Sequence, residues 1–473
     1  MSSIDYECLL ERLNPGQRAA FDAIAAGKNI FLTGPGGTGK SFLIRLLYDI
    51  LPRSTGKSVA LTALTGCASL LLHPKAKTIH SWAGIGLGKE PVPLLVANLK
   101  KSRRACLRWL QADVLVIDEI SMMTPELFEK LDQVGRKIRR NEHSPFGGLQ
   151  IVAVGDFYQL PPVVRHSELS DERLDTSFVF ESPLWASLRF TTHELTQIER
   201  QKDEEFQRVL NEARIGELSK KSLKFLAKRM GLDYKSQPIQ PTMLFTRRAQ
   251  VDTINMSYLK KLTTERRAFK ASTLFQPIAA TAGMSQTDPL VQKAVAKLDN
   301  DAPYEPELIV AIGAQVMLLT NLDHDLGLVN GSRGVVVAYG SGESDTKDST
   351  VTDSSLLVPI VQFKNGTRMP IAHATWEVSD MPGVLRKQIP LKLAWAQTIH
   401  KCQGATLDCA LIDVGGKTFE YGQAYVALSR VKDADSLYIH DLEQTAFRAH
   451  EKVKKFYQPP VTATLGTSTA GHM

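Results

Sequence analysis

The sequence has little cysteine and no long hydrophobic run. Its 473 residues include five cysteines, which are odd in number, widely spaced and without a CxxC pair. This pattern argues against a disulfide framework and a zinc ribbon, and it favours a reducing compartment. No stretch approaches the roughly 18 consecutive apolar residues that a membrane span needs. Because the first residues carry acids and no apolar segment, we expect no secretory signal or transit peptide. The expected location is intracellular, cytosolic or nuclear, with mitochondria left open.

Neither sign of charge is in strong excess. Lysine and arginine number 57 against 50 aspartate and glutamate residues, which gives a formal charge of +7. This balance permits a nucleic-acid partner without requiring one. Basic clusters at 100–104, 136–140 and 452–455 fit a solvated helix face as well as a phosphate contact. With 43% hydrophobic residues, the chain is long enough for roughly two to four globular domains.

A complete phosphate-binding loop is present near the start of the chain. An apolar run at 30–32 precedes it and another at 42–44 follows it, so the context is strand, loop, helix. The loop consists of Gly34, Pro35, Gly36, Gly37, Thr38, Gly39, Lys40 and Ser41. In such a loop backbone N–H groups surround phosphate oxygens, the lysine reaches the terminal phosphates and the serine hydroxyl holds Mg²⁺. The first expected ligand is therefore a nucleoside triphosphate with Mg²⁺.

Two acids and a glutamine follow later strands. The run Val114–Ile117 ends in Asp118 and Glu119, about 80 residues after the loop. A magnesium ion on ATP needs a carboxylate at a strand end, and hydrolysis needs a base that polarises water. Asp118 suits the metal and Glu119 the water. Gln159, after the strand at 151–154, is positioned to sense the terminal phosphate, although alone it would be an ordinary loop residue.

The strand and helix pattern predicts an α/β fold with two blocks of parallel sheet covered by helices. Buried strands are expected at 29–33, 58–62, 114–117 and 149–154 in the first block, and at 242–245, 391–396 and 410–413 in the second. We expect a first domain at 1–193 with a small insertion at about 79–110, and a second domain at 194–264 and 385–458. A β-rich insertion is expected at 265–384, where Asn330-Gly331 and Asn365-Gly366 indicate hairpins. A polar loop is expected at 340–355, and the tail at 459–473 is expected to be disordered.

The series of motifs resembles superfamily one helicases. The matching segments, in order, are 33–41, 62–68, 78–82, 118–122 and 155–163. Residues 127–131 and 145–150 resemble the signature segment of the Pif-one family within that group. Further matches are at 313–317, 331–334, 396–408 and 425–431, so the resemblance covers about residues 14–439. It departs from the usual family residues at Leu64, at Cys402 and at Ile198-Glu199, which leaves the ATP motifs intact.

The resemblance implies two RecA-like parallel-sheet P-loop domains with ATP bound between them, and an SH3-like fold for the β-rich insertion. It also implies roles for further residues. Gln17 would read the adenine edge, and Arg200 and Arg430 would reach the terminal phosphate from the second domain. A guanidinium there stabilises the charge of the transition state and couples hydrolysis to domain closure. DNA contacts by hydroxyls and rings are implied for seven residues. These are Thr65, Ser69, His80, Phe157, Pro161, His400 and Gln403.

The function that the resemblance implies is an ATP-dependent DNA helicase moving 5′ to 3′ on single-stranded DNA. Its partners would be ATP, single-stranded DNA and forked duplex DNA, and it would act as a monomer or as a dimer on DNA. The implied roles are replication, repair, recombination and telomere maintenance; G-quadruplexes and RNA–DNA hybrids are family substrates that no residue here indicates. The main alternative is a translocase that remodels protein–DNA complexes without processive unwinding. A scaffold with an idle site is disfavoured because Lys40, Glu119, Gln159 and Arg430 are all present.

Overall fold

The structure is a computed structural model, and it describes ten ranges of the chain. These are residues 9–86, 88–162, 177–237, 239–276, 283–323, 326–341, 357–378, 381, 383–415 and 420–458. Most of the predicted polar loop at 340–355 and the whole predicted tail at 459–473 lie outside the described residues. Among the residues described, no helix combines the length and apolar character that a bilayer crossing requires.

The first unit is built on a six-stranded parallel sheet. Its strands are β1 Ile30–Thr33, β2 Val59–Ala63, β3 Lys77–Thr78, β4 Val114–Asp118, β5 Gln150–Val154 and β6 Thr191–Glu194, in the order β3-β2-β4-β5-β1-β6. Successive side chains of β4 alternate between two cores: Leu115 and Ile117 face one, and Val114 and Val116 face the other. Both faces are therefore covered, as a parallel sheet requires. The four strands predicted in this region are confirmed, with ends that differ by at most one residue.

Eight helices of the described chain cover this sheet. They are α1 Pro15–Ala25, α2 Lys40–Thr55, α3 Gly66–Leu72, α4 Ile79–Ala83, α5 Val92–Lys101, α6 Arg103–Gln111, α7 Pro125–Arg139 and α8 Pro183–Ser187. The predicted insertion at 79–110 consists largely of α4, α5 and α6. Leu99 and Trp109 are buried in the same core as Leu115, and the Trp109 indole N–H donates to the Ala83 carbonyl at 3.0 Å. This segment is thus packed against the sheet and not a loose appendage.

The second unit begins with helices and one strand, and a large insertion then interrupts it. The elements before the insertion are α9 Glu204–Ile215, α10 Lys220–Ala227, β7 Thr242–Phe245 and α11 Arg248–Lys261. The insertion contains β8 Arg266–Lys270, β9 Ser272–Phe275, α12 Pro289–Asp301, β10 Glu307–Ala311, β11 Gln315–Leu318, β12 Arg333–Ser341, β13 Leu357–Phe363, β14 Arg368–Pro370, β15 Ala374–Glu377, β16 Val384–Gln388 and β17 Leu391–Leu393. A five-stranded antiparallel sheet, β14-β13-β12-β11-β17, forms its centre.

Two features of the insertion differ from the sequence prediction. Helix α12 was not predicted, although Asp288 caps its first turn and Pro289 occupies its first position. The run Leu391–Ala396, predicted as a strand of the second parallel sheet, is divided. Its first part, β17, pairs antiparallel with β11, because Leu391 and Leu318 lie opposite each other in one core. The insertion therefore continues beyond the predicted limit at residue 384, which itself falls on the first residue of β16.

The chain then completes the second parallel sheet. The remaining elements are β18 Ala396–Thr398, β19 Ala410–Val414, α13 Gln423–Leu428, β20 Leu437–Leu442 and α14 Glu451–Tyr457, and the sheet order is β18-β7-β19-β20. Helix α14 packs against the first unit. Val453 is buried in a core of that unit, and Phe456 and Tyr457 pack against the same core. The predicted division counted residues up to 458 with the second unit.

Candidate nucleotide site and nucleic-acid surface

The phosphate-binding loop connects β1 to α2. Gly34 has φ of 132°, and a side chain there would overlap the backbone oxygen of Leu195, so only glycine fits. The Thr38 hydroxyl donates to the Pro35 carbonyl at 2.9 Å and stabilises the turn. Ser41 lies in the first turn of α2, where the helix dipole favours a negatively charged ligand.

Lys40 is held by the loop it belongs to. Its ammonium donates to the Gly34 carbonyl at 2.6 Å and to the Pro35 carbonyl at 2.9 Å. Burial lowers the pKa of Lys40, while the charges of Asp156 and Glu119 act in the opposite direction. The ammonium therefore lies beside the carbonyls of the loop and within the field of the acids.

Asp118 and Glu119 lie side by side at the end of β4. The Glu119 N–H donates to Asp118 Oδ1 at 2.9 Å, and Glu119 has φ of 57°, an unusual value for a residue other than glycine that is often found at functional sites. Burial raises the pKa of Asp118 to about 6. Burial and the neighbouring Asp118 charge raise the pKa of Glu119 to about 7. Burial thus disfavours the charged form of both carboxyls.

The donor set fits a magnesium ion bound together with a triphosphate. Within the described ranges, no three His, Cys, Asp or Glu residues form a group that could hold a metal ion alone. Magnesium typically takes one or two protein ligands and completes its shell with water and phosphate oxygens. The Ser41 hydroxyl and the buried Asp118 carboxylate are ligands of this kind. The ion would neutralise charge that develops on the phosphates.

The turn after β5 brings Gln159 to the same end of the sheet. Gln159 is buried, and its backbone N–H donates to the Asp156 carbonyl at 2.9 Å. Asp156 is fully buried and receives two hydrogen bonds from Arg214 of α9, from Nε at 3.0 Å and from Nη2 at 3.1 Å. A bidentate ion pair therefore joins this turn to the second unit.

Arg430 approaches the loop from the second unit. It follows α13, is 1% exposed and lies with Nη2 3.4 Å from the position a side chain on Gly36 would take. Its guanidinium donates to the carbonyls of Val426 at 2.7 Å and Cys402 at 3.2 Å, and to the Ser429 hydroxyl at 2.6 Å. Burial lowers its pKa. The structure thus brings Arg430 to the loop that contains Lys40.

Arg200 is also beside the loop, on the segment that connects the two units. Its backbone N–H donates to the Gly37 carbonyl at 3.2 Å, and its Nη1 donates to the Ser429 carbonyl at 2.9 Å. Burial and the neighbouring Arg430 charge lower the pKa of Arg200 to about 9. Two guanidinium groups therefore converge near the glycines of the loop, an arrangement that suits an anion between them.

Gln403 has a position that the sequence did not predict. We expected it to contact DNA, but it is buried and its Nε2 donates to Glu119 Oε2 at 2.8 Å. This hydrogen bond joins the second unit directly to the acid that the sequence predicted as the base. This contact favours a role in orienting Glu119, and the DNA contact of Gln403 stays a prediction.

Gln17 lies beneath the loop. Its Nε2 donates to the Thr38 carbonyl at 3.2 Å, and its Oε1 accepts from the Asn14 N–H at 3.1 Å in a capping box at the start of α1. The side chain is therefore fixed beside the nucleotide loop, and adenine recognition stays a prediction.

The other residues predicted to contact DNA divide into two groups. Thr65 caps α3 by accepting from the Ala68 N–H at 3.1 Å, and the Ser69 hydroxyl donates to the Gly66 carbonyl at 2.9 Å. His80, Pro161 and His400 are partly exposed. Burial lowers the pKa of His400, which favours its neutral form.

Phe157 does not fit the predicted stacking role. It is 2% exposed and packs in an aromatic cluster, with its ring centroid 5.3 Å from Phe31 and 5.3 Å from Phe456. A base has no access to this ring, because the rings of the first-unit core surround it. The motif position was recognised in the sequence, but burial of the ring depends on α14, which is distant in the chain.

The sequence also left Asp156, Arg214 and Tyr425 unassigned. The Tyr425 hydroxyl accepts from the Gly36 N–H at 2.7 Å, within the phosphate loop. Asp156 and Tyr425 were both inside recognised motifs, which was the available signal. Arg214 lies on an amphipathic helix with no such signal, and only the fold brings it to Asp156.

Comparisons with known proteins give a consistent family. Residues 12–224 match the model of the PIF1-like helicase family, and residues 297–339 match that of the DNA helicase Pif1 2B domain. The chain is 36% identical over 451 residues to the ATP-dependent DNA helicase PIF1 of Danio rerio, covering 95% of this chain and 64% of that protein. The chain thus spans slightly less than two thirds of this curated relative.

Solved structures are similar over almost the whole chain. The crystal structure of Pif1 helicase from Candida albicans matches with a TM-score of 0.72 and 33% identity, covering 94% of this chain and 98% of that one. A Bacteroides sp Pif1 in complex with ADP-AlF4 matches with a TM-score of 0.72 and 28% identity, covering 94% and 96%. The similarity therefore includes the two parallel sheets and the β-rich insertion within the second unit.

Proposed function

The chain belongs to the PIF1-like helicase family, and from this premise we propose that it is an ATP-dependent DNA helicase that moves 5′ to 3′ on single-stranded DNA. The names of its relatives support DNA as the substrate. One observation carries the proposal: Arg430 of the second unit and Arg200 of the connecting segment lie against the phosphate loop, and Gln403 of the second unit donates to Glu119 of the first. Hydrolysis at this position would be sensitive to any movement between the units.

The proposed roles in ATP hydrolysis combine the motif positions with the contacts described above. Lys40 would bind the terminal phosphates, and Ser41 and Asp118 would hold Mg²⁺, which would offset the negative charge of the phosphates. Glu119, oriented by Gln403, accepts a proton from the attacking water. Arg430 and Arg200 stabilise charge in the transition state, and Gln159 contacts the terminal phosphate.

The proposed DNA path crosses both units. Thr65, His80, Pro161 and His400, which are partly exposed, are the remaining candidates for it, since Ser69 and Phe157 are buried and Gln403 is engaged with Glu119. We further propose that the helical segment at 79–110 separates the duplex and that the β-rich insertion braces the strand. Because the helical segment is packed into the first-unit core, it would resist the force of strand separation.

Unwinding of forked duplexes by the full chain tests the proposal. We expect ATP-dependent strand separation with a 5′ tail and none with a 3′ tail, and DNA affinity that falls steeply with salt. Unwinding of the 3′-tailed fork alone would contradict the direction. ATP hydrolysis stimulated by single-stranded DNA without strand separation on either fork would favour the translocase alternative.

Assembly and location belong to the same proposal. The chain would act as a monomer, with a dimer on forked DNA as the alternative, and light scattering with and without a fork would distinguish them. An enzyme of this kind would work inside the cell, in the cytosol, nucleus or mitochondria, where ATP and DNA are both present. A fusion to a fluorescent protein would test this location.

A further inference from the structure

The last described helix, α14, packs against the first unit. Val453 of α14 is 1% exposed within the first-unit core. Lys452 pairs with Glu181 at 3.0 Å, and Lys454 pairs with Glu217 at 2.9 Å. Since Glu181 lies in the first unit and Glu217 follows α9, the helix contacts both sides of the connection between the units.

Tyr457 is the last residue of this helix, and its ring lies inside a polar and aromatic cluster. The ring stacks on Tyr158 with centroids 4.9 Å apart and an interplanar angle of 14°. The Arg214 guanidinium lies 4.8 Å from the Tyr158 ring centroid and 5.5 Å from that of Tyr457. The same guanidinium forms the bidentate pair with Asp156.

The Tyr457 hydroxyl joins two strands of the nucleotide site. It lies 2.7 Å from the Thr33 hydroxyl, and it accepts from the Phe157 N–H at 3.2 Å. Burial raises the pKa of Tyr457 well above its ordinary value, so the hydroxyl stays protonated and can donate to Thr33. The hydroxyl therefore both donates and accepts a hydrogen bond, one with each of these two residues.

These two partners are next to the groups that contact phosphate. Thr33 ends β1 and precedes Gly34, the first residue of the loop. Phe157 lies in the turn after β5, two residues before Gln159. The two strands are neighbours, with Leu32 opposite Val154. A single hydroxyl thus fixes the distance between the start of the phosphate loop and the turn that carries Gln159.

We propose that Tyr457 is a positioning residue for ATP hydrolysis, acting through its hydroxyl on the phosphate loop and on the Gln159 turn. The proposal rests on the proposed ATPase function. Tyr457 does not touch the reacting atoms; it fixes the position of Lys40 relative to Gln159. Small errors in such geometry reduce reaction rates strongly. The competing interpretation is that Tyr457 only fills space.

Tyr457→Phe separates these interpretations because it keeps the stacked ring and removes only the hydroxyl. In the full chain with single-stranded DNA, we expect kcat for ATP hydrolysis to fall about tenfold while the ATP KM changes less than about twofold. Tyr421→Phe is the matched control, since Tyr421 is 40% exposed, contacts the His450 ring and should give wild-type kcat. A wild-type kcat for Tyr457→Phe, with or without a lower melting temperature, would overturn the proposal.

Thr33→Val gives a second variant, with the partner hydroxyl replaced by a methyl group. Because both changes remove one shared hydrogen bond, the double variant should lose much less than the product of the two single effects. Fully multiplicative losses would contradict the shared contact.

Hydrogen exchange gives a readout that is independent of activity. Tyr457→Phe should speed amide exchange at 33–39 and 157–160, and Tyr421→Phe should not. Unchanged exchange in both segments would refute the positioning role even if the chain hydrolysed no ATP, whereas absence of hydrolysis in the wild type would refute the proposed function alone.

Discussion

The two sides of the nucleotide cleft hold their charges differently. On the first unit, burial raises the pKa of Asp118 and of Glu119, and the amide of Gln403 is a neutral partner for Glu119. On the second unit, Arg430 is already fixed by carbonyl groups and a hydroxyl. The two acids can thus accept an added cation, while the positive guanidinium of Arg430 is already held in place. This comparison suggests that Mg²⁺ and ATP complete the first side and that movement between units brings the second side into action.

The largest expected effect comes from removing the positive charge of Arg430. Arg430→Ala should lower kcat for ATP hydrolysis by about 10³, because the guanidinium stabilises the transition state. Arg430→Lys keeps a charge without the fork of donors and should recover little of the loss. Steady-state hydrolysis with saturating single-stranded DNA measures this. A loss of less than tenfold in Arg430→Ala would contradict the role of the second side.

The next effect concerns the acid side. Glu119→Gln keeps the size of the side chain and removes the base, so kcat should fall by about 10² with ATP affinity retained. Fluorescent nucleotide binding would measure that affinity. Retained hydrolysis would show that another group activates water.

A smaller effect, on stability, tests the ion pair that joins the two units. Arg214→Met leaves the Asp156 carboxylate buried without its partner and should lower the free energy of unfolding by about 3 kcal/mol. Arg18→Met is the matched control, since the Arg18–Asp22 pair at 3.0 Å is about half exposed and should contribute less than about 1 kcal/mol. Urea denaturation compares them. Equal losses would mean that burial of the pair has no energetic consequence.

The smallest effect should come from removing the hydrogen bond that Gln403 donates to Glu119. Gln403→Ala leaves Glu119 in place without its amide partner, so kcat should fall about tenfold, the equivalent of one hydrogen bond to a charged group. Its affinity for single-stranded DNA should stay at the wild-type value. A large loss of DNA affinity with normal hydrolysis would restore the original interpretation of Gln403 as a DNA ligand.

Local patterns in the sequence predicted the nucleotide side more completely than the contacts between units. The loop at 34–41, the β4 acids and strand β7 are local patterns, and the structure has the predicted elements at those positions. The position of Gln403 against Glu119 depends on residues 284 apart in the chain. Burial of Phe157 depends on α14, 300 residues later, and the division of 391–396 between two sheets depends on pairing with β11. No local pattern could contain this information.

Hydrolysis and unwinding by Lys40→Ala, measured together on a 5′-tailed fork, test the central claim most directly. Lys40 is bound to the loop carbonyls beside both acids, so its loss should remove the phosphate contact and leave the fold in place. We predict that this variant neither hydrolyses ATP nor separates the strands, while the wild type does both. A Lys40→Ala chain that still hydrolyses ATP and unwinds the fork would contradict the account.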